Sequence, residues 1–237
     1  MAALILLLGK LSFAAIGIAV GVKLGLATRR DGLGLHTVAL AAICLGGIGL
    51  LAMPAAIPLA SVPLALTGEL AVRAAMLLLC AFIAATFRPG PLGWLAAFVC
   101  GSFVVAALVW DQLAQASLLD YDYTQLSSHV NQLSVATPFA WSAVESGLLW
   151  SRGRRRLALG LSDPLAVRQY LLWSVTTACF VGVCLLAIAT GLAQAAGDPG
   201  AADLAQIARG LLYGAITACV WLGIFPRRSA EPAAAAS

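Results

Sequence analysis

Five ionisable side chains stand in, or at the edge of, runs that are otherwise almost wholly apolar: Lys10, Glu69, Arg73, Asp111 and Arg209. A charge in hydrocarbon is costly, so such residues mark binding sites, ion paths or proton relays by default. Glu69 and Arg73 are four apart, the spacing at which a helix brings an acid and a base together. The set holds three positive and two negative charges. An anionic headgroup or carboxylate would therefore balance it better than a cation. Trp110, Trp141 and Tyr213 could line a pocket beside it. A structural reading competes: Lys and Arg near helix ends reach out to the interface, and Trp and Tyr gather there. Charges from four different helices are more than that reading needs. Glu145 stands apart from the set, near Arg152, and is either an interfacial ion pair or a buried proton-accepting carboxylate.

The elements that must position these residues follow from composition. The 237-residue chain is 62% hydrophobic and 10% charged, with a mean hydropathy of +0.96. Soluble domains carry about 25% charged residues. Several runs reach the roughly 20 residues a helix needs to cross a bilayer core, where unpaired backbone groups force helical structure. The fold class expected is an all-α, seven-helix membrane bundle, with spans at about 3–27, 35–54, 67–87, 92–112, 134–150, 166–193 and 205–225. Pro/Gly punctuation such as "MPAAIPLASVP", "FRPGPLG" and "GDPGAAD" separates them. In "SDPLAV", Ser162 or Asp163 can cap the sixth helix, with a proline in its first turn. Residues 1–228 read as one transmembrane domain and 229–237 as a disordered tail.

Charge sets the expected orientation. Eleven of the fourteen basic residues fall in alternate connections: Lys23, Arg29, Arg30, Arg88, Arg152, Arg154, Arg155, Arg156, Arg168, Arg227 and Arg228. The opposite connections carry acids, among them Asp120, Asp122, Asp198 and Asp203. Basic short loops stay cytoplasmic, which places the N-terminus outside and the C-terminus inside, in a bacterial inner membrane. Arg152, Arg154, Arg155 and Arg156 then act as a topological anchor and an anionic-lipid contact. A cluster pinned at a bilayer surface is poorly placed for nucleic acid. The 22-residue outer connection "QLAQASLLDYDYTQLSSHVNQL" could cover a pocket; its two acids, two tyrosines and His129 are compatible with ligand contact, and its spaced leucines with a helix lying on the membrane.

Two stretches echo each other, "RRDGLGL" (29–35) and "RRLALGL" (155–161), and the third and seventh spans both open with an acid and a base. This pattern suggests two parallel three-helix units joined by a fourth helix, a 3+1+3 internal repeat. Gly17, Gly21, Gly25, Gly210 and Gly214 form small-residue faces that serve bundle packing or a homo-oligomer. The six cysteines all lie in apolar runs and read as packing residues. His36 and His129 fall on opposite faces, which excludes a bis-histidine haem. No catalytic, metal or cofactor site is expected.

The topology resembles that of rhodopsins, but the seventh span has no lysine for a retinal Schiff base. The repeat pattern is similar to that of PQ-loop and SWEET transporters, yet the chain has no Pro-Gln pair. The stretch "RRRLALGLSDPLAVRQYLLW" (154–173) resembles uncharacterised bacterial seven-helix proteins of sensor-input type. That resemblance implies a sensor-like role. The function expected is a non-enzymatic receptor or signalling module that binds a small, anionic ligand or lipid at its outer face. It would act through a separate membrane or cytoplasmic partner. The alternative is a small-solute or proton-coupled transporter, motivated by the repeat and Glu145.

Overall fold

The computed structural model describes residues 1–31, 35–116, 119 and 121–224. The expected tail at 229–237, Asp120, Arg227 and Arg228 lie outside the described residues. Those described form seven helices and no strand: α1 (Ala2–Asp31), α2 (Leu35–Ala56), α3 (Val62–Thr86), α4 (Pro91–Ala114), α5 (Leu126–Leu157), α6 (Pro164–Ala195) and α7 (Pro199–Ile224). All but α5 are long and apolar enough to cross a membrane. The protein is an all-helical, multi-pass membrane protein.

Local chemistry explains where the helices start. Ser61 caps α3 by accepting from the Leu64 amide, and Pro63 sits in the first turn, where no N–H is needed. Asp163 caps α6 in the same way through the Leu165 amide, ahead of Pro164. Three starts differ from expectation. α3 begins about five residues earlier than expected and α7 about six, because the prolines read as breaks are N-terminal helix residues. α5 runs from 126 to 157 rather than 134 to 150, and shares the greatest length with α6.

The reason α5 was misjudged lies in its inner face. Ser127, Asn131, Ser134, Pro138, Ser142, Glu145 and Ser146 recur every three or four positions and are all buried. That stripe is the helical period written in polar residues, and it lowers the apolar content of the whole helix. The stripe is tied down locally and across helices: Trp173 Nε1 donates to Ser142 Oγ at 2.8 Å, and Ser174 Oγ to the Ala143 carbonyl at 3.0 Å. Outward, the bundle shows the reverse pattern. Leu4, Leu8, Leu92, Phe98, Leu113 and Leu211 are all exposed. Apolar side chains outside and polar ones inside are what a hydrocarbon solvent selects.

Six helices close into a ring in the order α1–α2–α3–α5–α6–α7, and α7 returns to α1. α4 lies outside the ring and packs only on α3 and α5. Neighbours in the ring run antiparallel except at two seams. At α3/α5, Arg73 meets Asn131 and Arg88 meets Glu145. At α1/α7, Ser12 meets Thr217, and Gly9 and Gly210 let the backbones touch: a Cβ on Gly210 would fall 2.6 Å from the Ile5 carbonyl oxygen. The chain enters at one end of the ring, called here the amino end, where α1, α3, α5 and α7 begin. α7 finishes at the opposite, carboxyl end. Phe13, Phe139 and Phe180 meet in the middle, the last two stacked with centroids 4.4 Å apart.

Candidate functional site

A cavity of about 160 Å³ runs along the axis of the ring, with Lys10, Glu69, Arg73, Arg209 and Tyr213 in its wall near the amino end. Each helix carries its residue inward at a similar depth. Lys10, Arg73 and Arg209 lie eight to eleven positions past the starts of α1, α3 and α7, about 12–16 Å along the axis. Arg209 is thus in the third turn of α7, deeper than expected. Arg73 and Arg209 are 6% and 8% exposed. Side chains this buried do not reach out to the interface.

Arg73 is the hub. Its Nη2 donates to Glu69 Oε2 at 3.0 Å, closing a buried i,i+4 ion pair, and to Asn131 Oδ1 at 2.9 Å. Asn131 Nδ2 then donates to Asp111 Oδ2 at 2.6 Å. Asp111, fully buried, also accepts from Tyr121 Oη at 2.5 Å and Ser127 Oγ at 3.0 Å. Asp111 therefore stands behind the cavity wall, joined to it through Asn131, and does not line it. Its charge is well solvated by donors. The cations are not: Arg73 Nε and Nη1 and Arg209 Nε are buried with no hydrogen-bond partner among the described residues.

The connection above the cavity is shorter than the 113–133 loop expected. It lies between the end of α4 at 114 and the start of α5 at 126, and the Ser128–His129 stretch belongs to α5. Tyr121 and Tyr123 pack edge-to-face, 4.7 Å between centroids, and Tyr123 lines the cavity. Gly191 of α6 admits this loop: a Cβ there would lie 2.1 Å from the Tyr123 carbonyl oxygen. Burial, and then the hydrogen bond to Asp111, push the Tyr121 phenol well above its ordinary pKa. Burial also raises that of Tyr123.

Other expected members fall elsewhere. Trp141 lies ten positions along α5 from Asn131, about 15 Å toward the carboxyl end, and its Nε1 donates to Glu145 Oε1 at 3.4 Å. Trp110 is 46% exposed on the outside of α4. Glu145 pairs with Arg88, Oε1 to Nε at 2.6 Å, and not with the arginine cluster. Arg152, Arg154, Arg155 and Arg156 occupy the last turns of α5 instead of a loop, all exposed, with Arg154 over the Trp150 ring. The six cysteines are unbridged. Among the described residues, no group of three His, Cys, Asp or Glu side chains is placed to hold a metal.

Asn131 was missed as a member, whereas Tyr121 is one of the two tyrosines of the outer connection expected to be compatible with ligand contact. A signal for Asn131 was present: it sits in the Ser127–Asn131–Ser134–Pro138 rhythm that continues into the fifth span. No known protein family, curated protein or solved structure matches this chain.

Proposed function

We propose that this protein is a seven-span receptor-like module of the bacterial inner membrane that binds a small anion at the amino end of its ring. The observation that carries the reading is one cavity wall with three cations, Lys10, Arg73 and Arg209, against one carboxylate, Glu69. Buried guanidinium nitrogens without hydrogen-bond partners beside it leave positive charge that a further negative group would balance. Arg209 is the primary ligand contact: it enters neither ion pair of the described residues, and its Nε is buried without a hydrogen-bond partner. The Asn131–Asp111–Tyr121 chain links Arg73 to the 115–125 loop, offering a route by which ligand binding reaches the surface and a separate partner.

The orientation proposed is N-terminus outside and C-terminus inside, with α5 as the seventh span. Its ring position between α3 and α6 supports the span. The exposed arginines at the carboxyl end support the orientation and contact with anionic lipids. The ring also favours the 3+1+3 repeat, since its two parallel seams fall between the α1–α3 and α5–α7 halves, with α4 left outside. That arrangement is the argument for the transporter alternative. A transporter needs polar groups reaching the midplane from both sides, and Glu145, once its motive, is held by Arg88. The module is proposed to be non-enzymatic.

Two measurements test this. Titration of the purified protein with a panel of small and amphipathic carboxylates should give saturable binding. Arg209→Gln should weaken that binding by roughly 10-fold or more, the worth of one hydrogen bond to a charged group. Equal affinity in the variant, or no binding by any anion, sinks the reading. For orientation, an impermeant thiol reagent applied to whole cells lacking the native cysteines should label Thr124→Cys but not Ser151→Cys. The reverse pattern would invert the topology.

A further inference from the structure

Resting on the anion-binding reading, we infer that the occupant of the axial cavity is a long-chain fatty acid, its carboxylate held at Arg209 and Arg73 and its unbranched chain running down the bore. The lining divides sharply along its length. Polar and charged residues stand at the amino end, whereas Phe139, Phe180, Leu79, Ala42 and Val220 line the remainder. Polar groups below them are engaged within the protein: Trp173 Nε1 donates to Ser142 Oγ, and Thr176 and Thr177 donate their hydroxyls to the Leu172 and Trp173 carbonyls of their own helix.

The length of the lining points to an extended chain. The lining runs from Met53 to Ala39 along α2, fourteen positions, and from Arg209 to Val220 along α7, eleven positions. These correspond to about 16–21 Å, somewhat more than half of the roughly 30 Å hydrocarbon core that one lipid chain covers within its leaflet. The apolar stretch of the lining comes from several helices facing one axis, which suits an extended, flexible chain lying along it.

The charge count selects the head. Glu69 in the wall and Asp111 behind it both act on Arg73, one directly and one through Asn131, so the set as a whole counts three positive charges against two negative. One positive charge remains, which one carboxylate balances, whereas a phosphomonoester would bring roughly one charge too many. A planar carboxylate also matches the fork of a guanidinium.

The test is competition against tritiated palmitate on the purified full-length chain, using acetate, octanoate, palmitate and uncharged hexadecanol. Ala42→Phe plugs the bore far from the arginines. Comparing variant with wild type in the same detergent cancels partition into the micelle. We expect Ala42→Phe to lower palmitate affinity by about 10-fold or more while octanoate changes by less than about 2-fold, and hexadecanol to compete poorly. Ala39→Leu, a milder plug, should give an intermediate loss if Ala42→Phe fails to fold. Equal losses for both acids, or none for either in a folded plug variant, overturn the proposal. Arg209-dependent binding of acetate with no gain from chain length would overturn it too, while leaving the anion reading intact. Absence of binding by every carboxylate removes both.

Discussion

Two Glu–Arg pairs stand at opposite ends of the bundle, one within α3 and the other between Arg88, just past the end of α3, and Glu145 of α5. Glu69–Arg73 at the amino end and Arg88–Glu145 at the carboxyl end are both close, at 3.0 and 2.6 Å. In the first, both side chains are under 10% exposed and the arginine has nitrogen atoms to spare. In the second, Arg88 is 60% exposed and free to leave for water or lipid headgroups. Proximity is thus a poor guide to role. Burial with incomplete pairing makes a site, whereas exposure makes an anchor, because only the buried group must find its partners inside the protein.

The contrast breaks first at Asn131. Replacing it with leucine removes the acceptor for Arg73 and a donor to Asp111, two charge-assisted contacts within a dry interior. Asn131→Leu should destabilise the folded bundle by roughly 3 kcal/mol, read from thermal unfolding in detergent. A loss under about 1 kcal/mol would mean the amino-end network is no more critical than a surface pair.

Tyr121 sharpens the comparison through pH. Its phenol ionises higher in the folded protein than in the unfolded chain, so its stabilising contribution is fully present below the unfolded pKa of about 10 and is lost as pH rises beyond that. Tyr121→Phe should cost about 1.5 kcal/mol at neutral pH, and the gap to wild type should narrow in alkaline buffer. A gap that stays constant to high pH would show that Tyr121 acts by packing on Tyr123 and not through Asp111.

The smallest effect is expected at the carboxyl end. Arg88→Gln leaves the buried Glu145 carboxylate with Trp141 and an uncharged amide in place of the exposed guanidinium, and should cost about 1 kcal/mol. A loss equal to that of Asn131→Leu would erase the distinction between the two regions.

How much of the site could be read from the residues themselves differs from one to the next. Glu69 with Arg73 was legible from spacing, and Lys10 and Arg209 from their place in apolar runs. Asn131 was not, because an uncharged side chain in a polar stretch looks like loop. Trp141 was assigned to the wrong end because aromatic character says nothing about depth along a helix.

Composition alone determined that this chain is helical and membrane-embedded, since hydrocarbon leaves the backbone no other solution and Pro, Gly and capping residues mark most helix ends. The alternating arginines determined the orientation expected of it. Only the tertiary structure decided that α4 is left outside the ring and that α5, the least apolar helix, sits within it. Hydropathy measures a helix against lipid, and the polar face of α5 is turned toward other helices. Which charges meet is likewise set by the rotation and depth of each helix, quantities fixed by side-chain packing across the whole ring and carried by no single stretch of sequence.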